Sequence, residues 1–229
     1  PERTGCQFCG GCMVGCKFNA KNTLDKNYLY FAEKSGAQIF PETEVVTIKP
    51  MANGYELITK VPGSFFGPRK TWHAPKIILS GGVLGSVRLL LKCKHIDKTL
   101  PNVSNELGKV VRTNGESLVG ATAVGAVKDY TDGVAISSAI HPDAITKIEI
   151  VRYPKGSDFM RTLALPLTGN APTWLRPLKF IATLILRLPQ ILRLAMVRDW
   201  ATNTIILLVM QTVDNQIALG IKRPWYKFF

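Results

Sequence analysis

The spacing of hydrophobic positions changes several times along the chain, and each change marks an element. Asn22-Thr23 offers a helix N-cap. Leu24, Tyr28, Leu29 and Ala32 follow at helical spacing, and Gly36 stands where a C-cap belongs. Short strands are predicted at Ala37–Phe40 and Glu44–Ile48. A third, Tyr55–Val61, alternates after the turn Ala52-Asn53-Gly54. Pro62 to Arg69 reads as a Gly/Pro loop. Ala74–Leu79 is an apolar run that predicts a buried strand. Ser80 to Ser86 then forms a glycine turn into a helix over Val87–Cys93. Strand, glycine turn and helix in that order make a unit of doubly wound α/β type.

The pattern changes character after about Leu107. Val119–Val127, Val134–Ala139 and Thr146–Arg152 are β-like, with Asp132-Gly133 as a turn signal. Trp174 to Val197 predicts a helix broken at Pro189, and Thr204–Thr212 a second apolar strand. The expectation is an α/β piece up to about residue 113 and a sheet-plus-helix piece after it.

Composition narrows the function classes. The chain has 229 residues, 46 % hydrophobic and 20 % charged, which is globular and not disordered. The net charge is +13, and residues 150–229 hold 11 basic against 3 acidic groups. Such a field favours a polyanion or an anionic membrane surface. No nucleic-acid motif accompanies it, so no nucleic-acid partner is expected. The apolar region Phe180–Met210 is interrupted by Arg187, Pro189, Arg193, Arg198, Asp199 and Asn203, which argues against a spanning helix. The chain opens at Pro1 and stops at Phe229 within a basic aromatic stretch, so a segment of a longer protein is expected.

Four of the five cysteines, Cys6, Cys9, Cys12 and Cys16, lie within eleven residues. A secreted disulfide framework would spread its cysteines, so the cluster argues against one. The spacing is that of a ferredoxin cluster site, but Lys17 and not Pro follows Cys16. An Fe–S electron-transfer protein using these four thiols is therefore one alternative. Zinc on the same four would be cramped. The turn Gly82-x-x-Gly85 is half of a dinucleotide fingerprint, and taken alone it equally fits a close helix–strand contact.

The joint pattern is more specific. Cys9-Gly10-Gly11-Cys12-Met13-Val14-Gly15-Cys16 is followed by Ala20 to Leu29, then by Glu44-Val45-Val46-Thr47-Ile48. Next come Ile77 to Ser86, Val111-Arg112-Thr113-Asn114-Gly115-Glu116, Ile150 to Ser157 and Arg198 to Asn215. In this order the chain resembles the glucose–methanol–choline (GMC) oxidoreductases, and most of all their bacterial cholesterol oxidase branch. The resemblance covers nearly the whole chain.

The resemblance implies an FAD-dependent alcohol oxidase or dehydrogenase acting on a sterol or other hydrophobic alcohol. It implies an incomplete Rossmann-like FAD-binding domain over residues 1–113 and a partial sheet-and-helix substrate-binding domain over 114–229. In these roles Val45 would meet the adenine through its backbone, and Gly81, Gly82 and Gly85 would let the cofactor approach. Asn114 would lie near the flavin, with Glu116 a weaker candidate. The family's G-x-G-x-x-G is not found in the sequence, nor is the segment that carries its catalytic His and Asn. These residues alone are therefore expected to oxidise no alcohol. His141-Pro142 differs from the family's His-Pro segment, because Asp143-Ala144 stands after it in place of glycines. His141, His73 and His95 read as solvated. Residues 174–198 alternate Trp, Leu and Ile with Arg and Lys. They are expected either to pack on their own domain or to lie on a membrane surface, where a lipid-soluble alcohol would be drawn from. A membrane-surface binding module is the other alternative. A bacterial protein, cytoplasmic or peripheral to the membrane, is the expected setting.

Overall fold

The computed structural model describes residues 3–64, 67–125 and 129–221. Its named helices are α1 (Tyr28–Lys34), α2 (Gly82–His95), α3 (Arg176–Leu186), α4 (Leu188–Ala195) and α5 (Trp200–Asn203). The strands are β1 (Glu44–Met51), β2 (Gly54–Lys60), β3 (Lys70–Ala74), β4 (Val111–Arg112), β5 (Ser117–Thr122), β6 (Ile136–Ile140), β7 (Thr146–Val151), β8 (Thr204–Gln211) and β9 (Gln216–Ile217). Two compact units emerge, and they are not the two sequence halves. One joins Pro1–Tyr30 to Asn114–Val213, and the other joins Phe31–Thr113 to Asp214–Phe229. The change at residue 113/114 is thus a unit boundary, but residues 1–30 go with the second stretch of sequence.

In the unit containing Phe31–Thr113, β1, β2 and β3 form an antiparallel sheet in that order. The turn before β2 needs Gly54. Its φ is +121°, and a Cβ there would stand 2.4 Å from the Ala74 carbonyl oxygen. Trp72 of β3 packs its ring on Phe40 at 4.6 Å between centroids and donates its indole N–H to Thr59 Oγ1 at 2.9 Å. Helix α2 packs on β1 through Leu91 and the fully buried Cys93, whose sulfur accepts the Ile48 N–H at 3.4 Å. Two short strands, β4 and β9, pair antiparallel.

Two predicted strands do not form. Residues 37–40 are extended without a ladder. The run from Ala74 ends β3 at its first residue, and residues 75–80 carry no strand. A strand needs a paired neighbour, and among the described residues none pairs with 75–80; Ile78 is 91 % exposed. The doubly wound strand–turn–helix is therefore observed as coil, glycine turn and helix. Strand β3 instead arises at the end of the predicted loop, of which residues 65–66 lie outside the described residues.

In the other unit, β5, β8, β7 and β6 form a four-stranded antiparallel sheet in that order. The apolar run Thr204 to Met210 takes an interior position because both its edges are paired, to β5 and to β7. Trp200 and Ala201 of α5 are buried at the entry to β8, and the Ala201 N–H donates to Asp158 Oδ1 at 2.9 Å. The expected strand to Val127 ends at Thr122; residues 126–127 lie outside the described residues. The long helix over 174–197 is two helices, joined at Arg187 and not at Pro189. Pro189 sits in the first turn of α4, where its missing N–H is not needed. The helix expected from Leu24 begins as a 3-10 turn over Leu24–Lys26, and α1 follows from Tyr28.

Candidate cofactor-binding site

The glycine turn lies at the start of α2. Gly81 is the N-cap, and no side chain caps the first turn. The first N–H groups of a helix have no partner within it, and here the positive end of a 14-residue helix stands behind them. Gly82 has φ +66°, a conformation that disfavours any side chain. A Cβ on Gly82 or Gly85 would meet nothing within 4 Å, and one on Gly81 would be in ordinary contact with Ser86 Oγ at 3.4 Å, Ser86 N at 3.5 Å and the Gly85 carbonyl carbon at 3.7 Å. The glycines are thus not required by a close contact inside this unit. They leave an open face over which a flat or anionic group can reach the backbone.

Val45 stands on β1, the outer strand of its sheet, and is half-buried. It pairs with Thr59, whereas Thr47 pairs with Ile58, so Val46 is the extra residue of a bulge. Lys92 of α2 holds this bulge. Its ammonium donates to the Val46 carbonyl oxygen at 2.8 Å, to Thr47 Oγ1 at 3.3 Å and to the Asp97 carboxylate. Thr47 Oγ1 also donates to Asp97 Oδ2 at 2.8 Å. One lysine thus fixes the helix that carries Gly81, Gly82 and Gly85 against the strand that carries Val45. Sequence reasoning missed this residue. Its signal was a cation set between Leu91 and Cys93, in an otherwise apolar turn.

Asn114 lies in the other unit, in an exposed loop before β5. Its carbonyl accepts the Gln211 N–H at 3.0 Å, which ties the loop to the end of β8. Its amide donates to Glu116 Oε2 at 2.9 Å, so the two polar candidates are engaged with each other. The structure brings Val45 and the glycine turn into one unit and Asn114 with Glu116 into the other.

The cysteine segment belongs with Asn114. Gly10 has φ +68°, donates its N–H to the Gly133 carbonyl at 2.8 Å, and leaves room for the Thr131 carbonyl, 2.7 Å from where a Cβ would be. Among the described residues, no three Cys, His, Asp or Glu come together as a metal site. Local backbone contacts hold this segment. Cys9 lies in a bridge to Gly133, and Cys16 accepts N–H groups from Ala20 at 3.3 Å and Lys21 at 3.4 Å. Those bonds, the one from Lys21 foremost, hold the Cys16 thiol below its usual pKa. His73 stands 3.7 Å from Glu56 on the sheet surface, His95 ends α2, and His141 is exposed just after β6. No helix of the described residues is long and apolar enough to cross a membrane.

Comparison with known proteins agrees with this geometry. Residues 2–107 match the GMC oxidoreductase family, in its N-terminal part. That stretch of the chain is similar to the GMC oxidoreductases. The chain is 43 % identical over 233 residues to a cholesterol oxidase of Acinetobacter baumannii, covering 99 % of this chain and 42 % of that protein. It is 42 % identical over 243 residues to a cholesterol oxidase of Mycobacterium tuberculosis, covering 99 % of this chain and 41 % of that protein. The chain therefore spans about two fifths of the length of these relatives. No solved structure gives a significant match. FAD is the cofactor of this family. The start of α2 fits such a group, since no N-cap side chain bonds its first turn and the space beside Gly82 and Gly85 is open.

Proposed function

We propose that the protein containing this chain oxidises a sterol or other hydrophobic alcohol to a ketone or aldehyde, with FAD as hydride acceptor. The identity to two cholesterol oxidases along 99 % of the chain carries the reading. FAD, held by these residues, would supply the hydride-accepting chemistry. The chain's own residues bind and position. Val45 offers backbone on the outer strand β1, beside a bulge that Lys92 keeps in shape. Gly82 and Gly85 keep the approach to the first turn of α2 clear. Asn114 offers an amide whose present partner, Glu116, is exposed and can yield it. We assign the unit containing Phe31–Thr113 to FAD binding and the sheet of β5 to β8 to substrate covering.

The test is the flavin spectrum and sterol turnover of the full-length protein. Stoichiometric FAD and ketone formation from a sterol are expected. Gly82→Val should weaken FAD binding by about tenfold or more, since side chain and strained backbone both oppose the approach. A purified protein that takes up no flavin, or a Gly82→Val variant with unchanged FAD affinity, would overturn the reading.

A further inference from the structure

The flavin reading gives no task to Cys6, Cys9, Cys12 or Cys16. All five cysteines of the chain are free thiols. Cys6 is exposed, Cys93 is buried against β1, and Cys9 is held by its backbone in the bridge to Gly133. Cys12 and Cys16 differ from these, because one residue holds both. The Lys21 ammonium donates to the Cys12 carbonyl oxygen at 2.9 Å, and the Lys21 backbone N–H donates to Cys16 Sγ at 3.4 Å. The Cys12 carbonyl and the Cys16 sulfur thus lie within the length of one lysine side chain. Between them Gly15 takes φ +105°, with nothing within 4 Å of where its Cβ would be. Three intervening residues with such a glycine are enough to bring two Cα atoms within the roughly 4.4–6.8 Å that a disulfide spans.

The Cys16 sulfur is also the prepared one. It accepts the Ala20 N–H at 3.3 Å beside that of Lys21. Two N–H donors on one sulfur favour the anion over the thiol, and they hold this thiol below its usual pKa. A stabilised thiolate is the nucleophile of cysteine redox chemistry, and a second thiol nearby resolves the oxidised product. Cys16 is half-buried, so a small oxidant suits it better than a disulfide carried by a peptide or protein.

We propose that Cys16 and Cys12 form a redox pair that a hydroperoxide oxidises, with Cys16 as the attacking sulfur and Cys12 as the resolving one. In the first step the Cys16 sulfur attacks an oxygen of the hydroperoxide. The O–O bond breaks, an S–O bond forms, and the thiol proton leaves with the departing oxygen as water or an alcohol. The sulfur gives up two electrons and becomes a sulfenic acid. In the second step the Cys12 sulfur attacks the Cys16 sulfur, the S–O bond breaks, and water carries off the Cys12 proton. A thiol reductant returns the disulfide to two thiols with two electrons and two protons. The inference stands apart from the flavin reading, because the oxidant is added and no turnover is needed. It requires no free protein face, only a path for a molecule the size of a peroxide.

The experiment treats reduced full-length protein with hydrogen peroxide, blocks the remaining thiols with iodoacetamide and maps the peptides by mass spectrometry. A Cys12–Cys16 disulfide that dithiothreitol reverses is expected. In Cys12→Ser the resolving thiol is gone, so dimedone should trap a sulfenic acid at Cys16, at about tenfold the labelling of the exposed Cys6. Cys16→Ser should lose the disulfide, whereas Cys6→Ser and Cys9→Ser should keep it. Should Cys16→Ser fail to fold, the wild-type map and the Cys12→Ser trap decide by themselves. No disulfide in wild type, a disulfide joining other cysteines, equal labelling of Cys6 and Cys16, or oxidation by glutathione disulfide but not by peroxide would each overturn the proposal. So would iron and labile sulfide bound in stoichiometric amount, because the four thiols would then be cluster ligands.

Discussion

The lysine that joins α2 to β1 gives the sharpest test of how the cofactor-side unit holds its shape. Lys92→Met keeps the aliphatic stem and removes only the ammonium. Three acceptors then lose their donor: the Val46 carbonyl, Thr47 Oγ1 and Asp97. Hydrogen bonds to a charged group contribute about 1.5–3 kcal/mol, and breaking a fully buried ion pair costs about 3–5 kcal/mol. This pair is not fully buried: the Lys92 side chain is 33 % and the Asp97 side chain 19 % exposed. Water therefore recovers part of the loss, and about 2 kcal/mol is the expected cost. At about 2–4 °C for each kcal/mol in a protein of this size, the melting temperature should fall by about 4–8 °C. Asp97→Asn completes a double-mutant cycle, in which a coupling of about 1 kcal/mol or more is expected. Denaturant titration of the four proteins measures it. A Lys92→Met cost under about 0.5 kcal/mol, or an additive cycle, would refute the assignment of Lys92 as the joint.

Two further predictions concern the unit that carries the cysteines. Gly10→Ala should destabilise by about 2–4 kcal/mol, from the left-handed backbone and the lost fit against Thr131. Gly156→Ala, also at positive φ but with nothing within 4 Å of its Cβ, should cost only the backbone part; equal losses in a urea titration would sink the contact argument. Asp129 is held at a pKa of about 2 by the Lys155 ammonium and by the side chain and N–H of Thr131. Its folded pKa is depressed, so its contribution is present above the ordinary carboxylate pKa and is lost as pH falls toward 2. Asp129→Asn should therefore be less stable than wild type at neutral pH, and the gap should close between about pH 4 and pH 2. A gap that stays constant over that range would contradict the pairing.

What the sequence made legible was local. Alternation at Thr146–Arg152 and the apolar run at Thr204–Thr212 became β7 and β8, because each is paired on both sides by another strand of this sheet. The turn Ala52-Asn53-Gly54 was readable for the same reason: Gly54 answers a contact only twenty residues away, at Ala74. The run at 75–80 has the composition of a buried strand, but composition states a wish for burial and not the partner that meets it. Ile78 stays 91 % exposed where no described strand adjoins it. The cysteines show the same limit. Their spacing permits a cluster, yet spacing cannot show that Gly10 is clamped to Gly133 or that the Cys16 sulfur is already satisfied by Ala20 and Lys21.

The candidate site divides along the same line. Glycine at 82 and 85 is a local statement about backbone, and it was readable before any fold was known. Lys92 and Asp97 bond with strand residues 45 to 50 positions away, and the local sign, a cation between Leu91 and Cys93, does not say which strand it meets. The residues that touch a ligand through backbone are thus easier to read than those that hold the backbone in place. For a flavin site built from a strand edge and an uncapped helix, the second group decides whether the first group works. A loss of FAD binding in Lys92→Met, at a residue placed behind the glycine turn and not in it, is what that dependence implies.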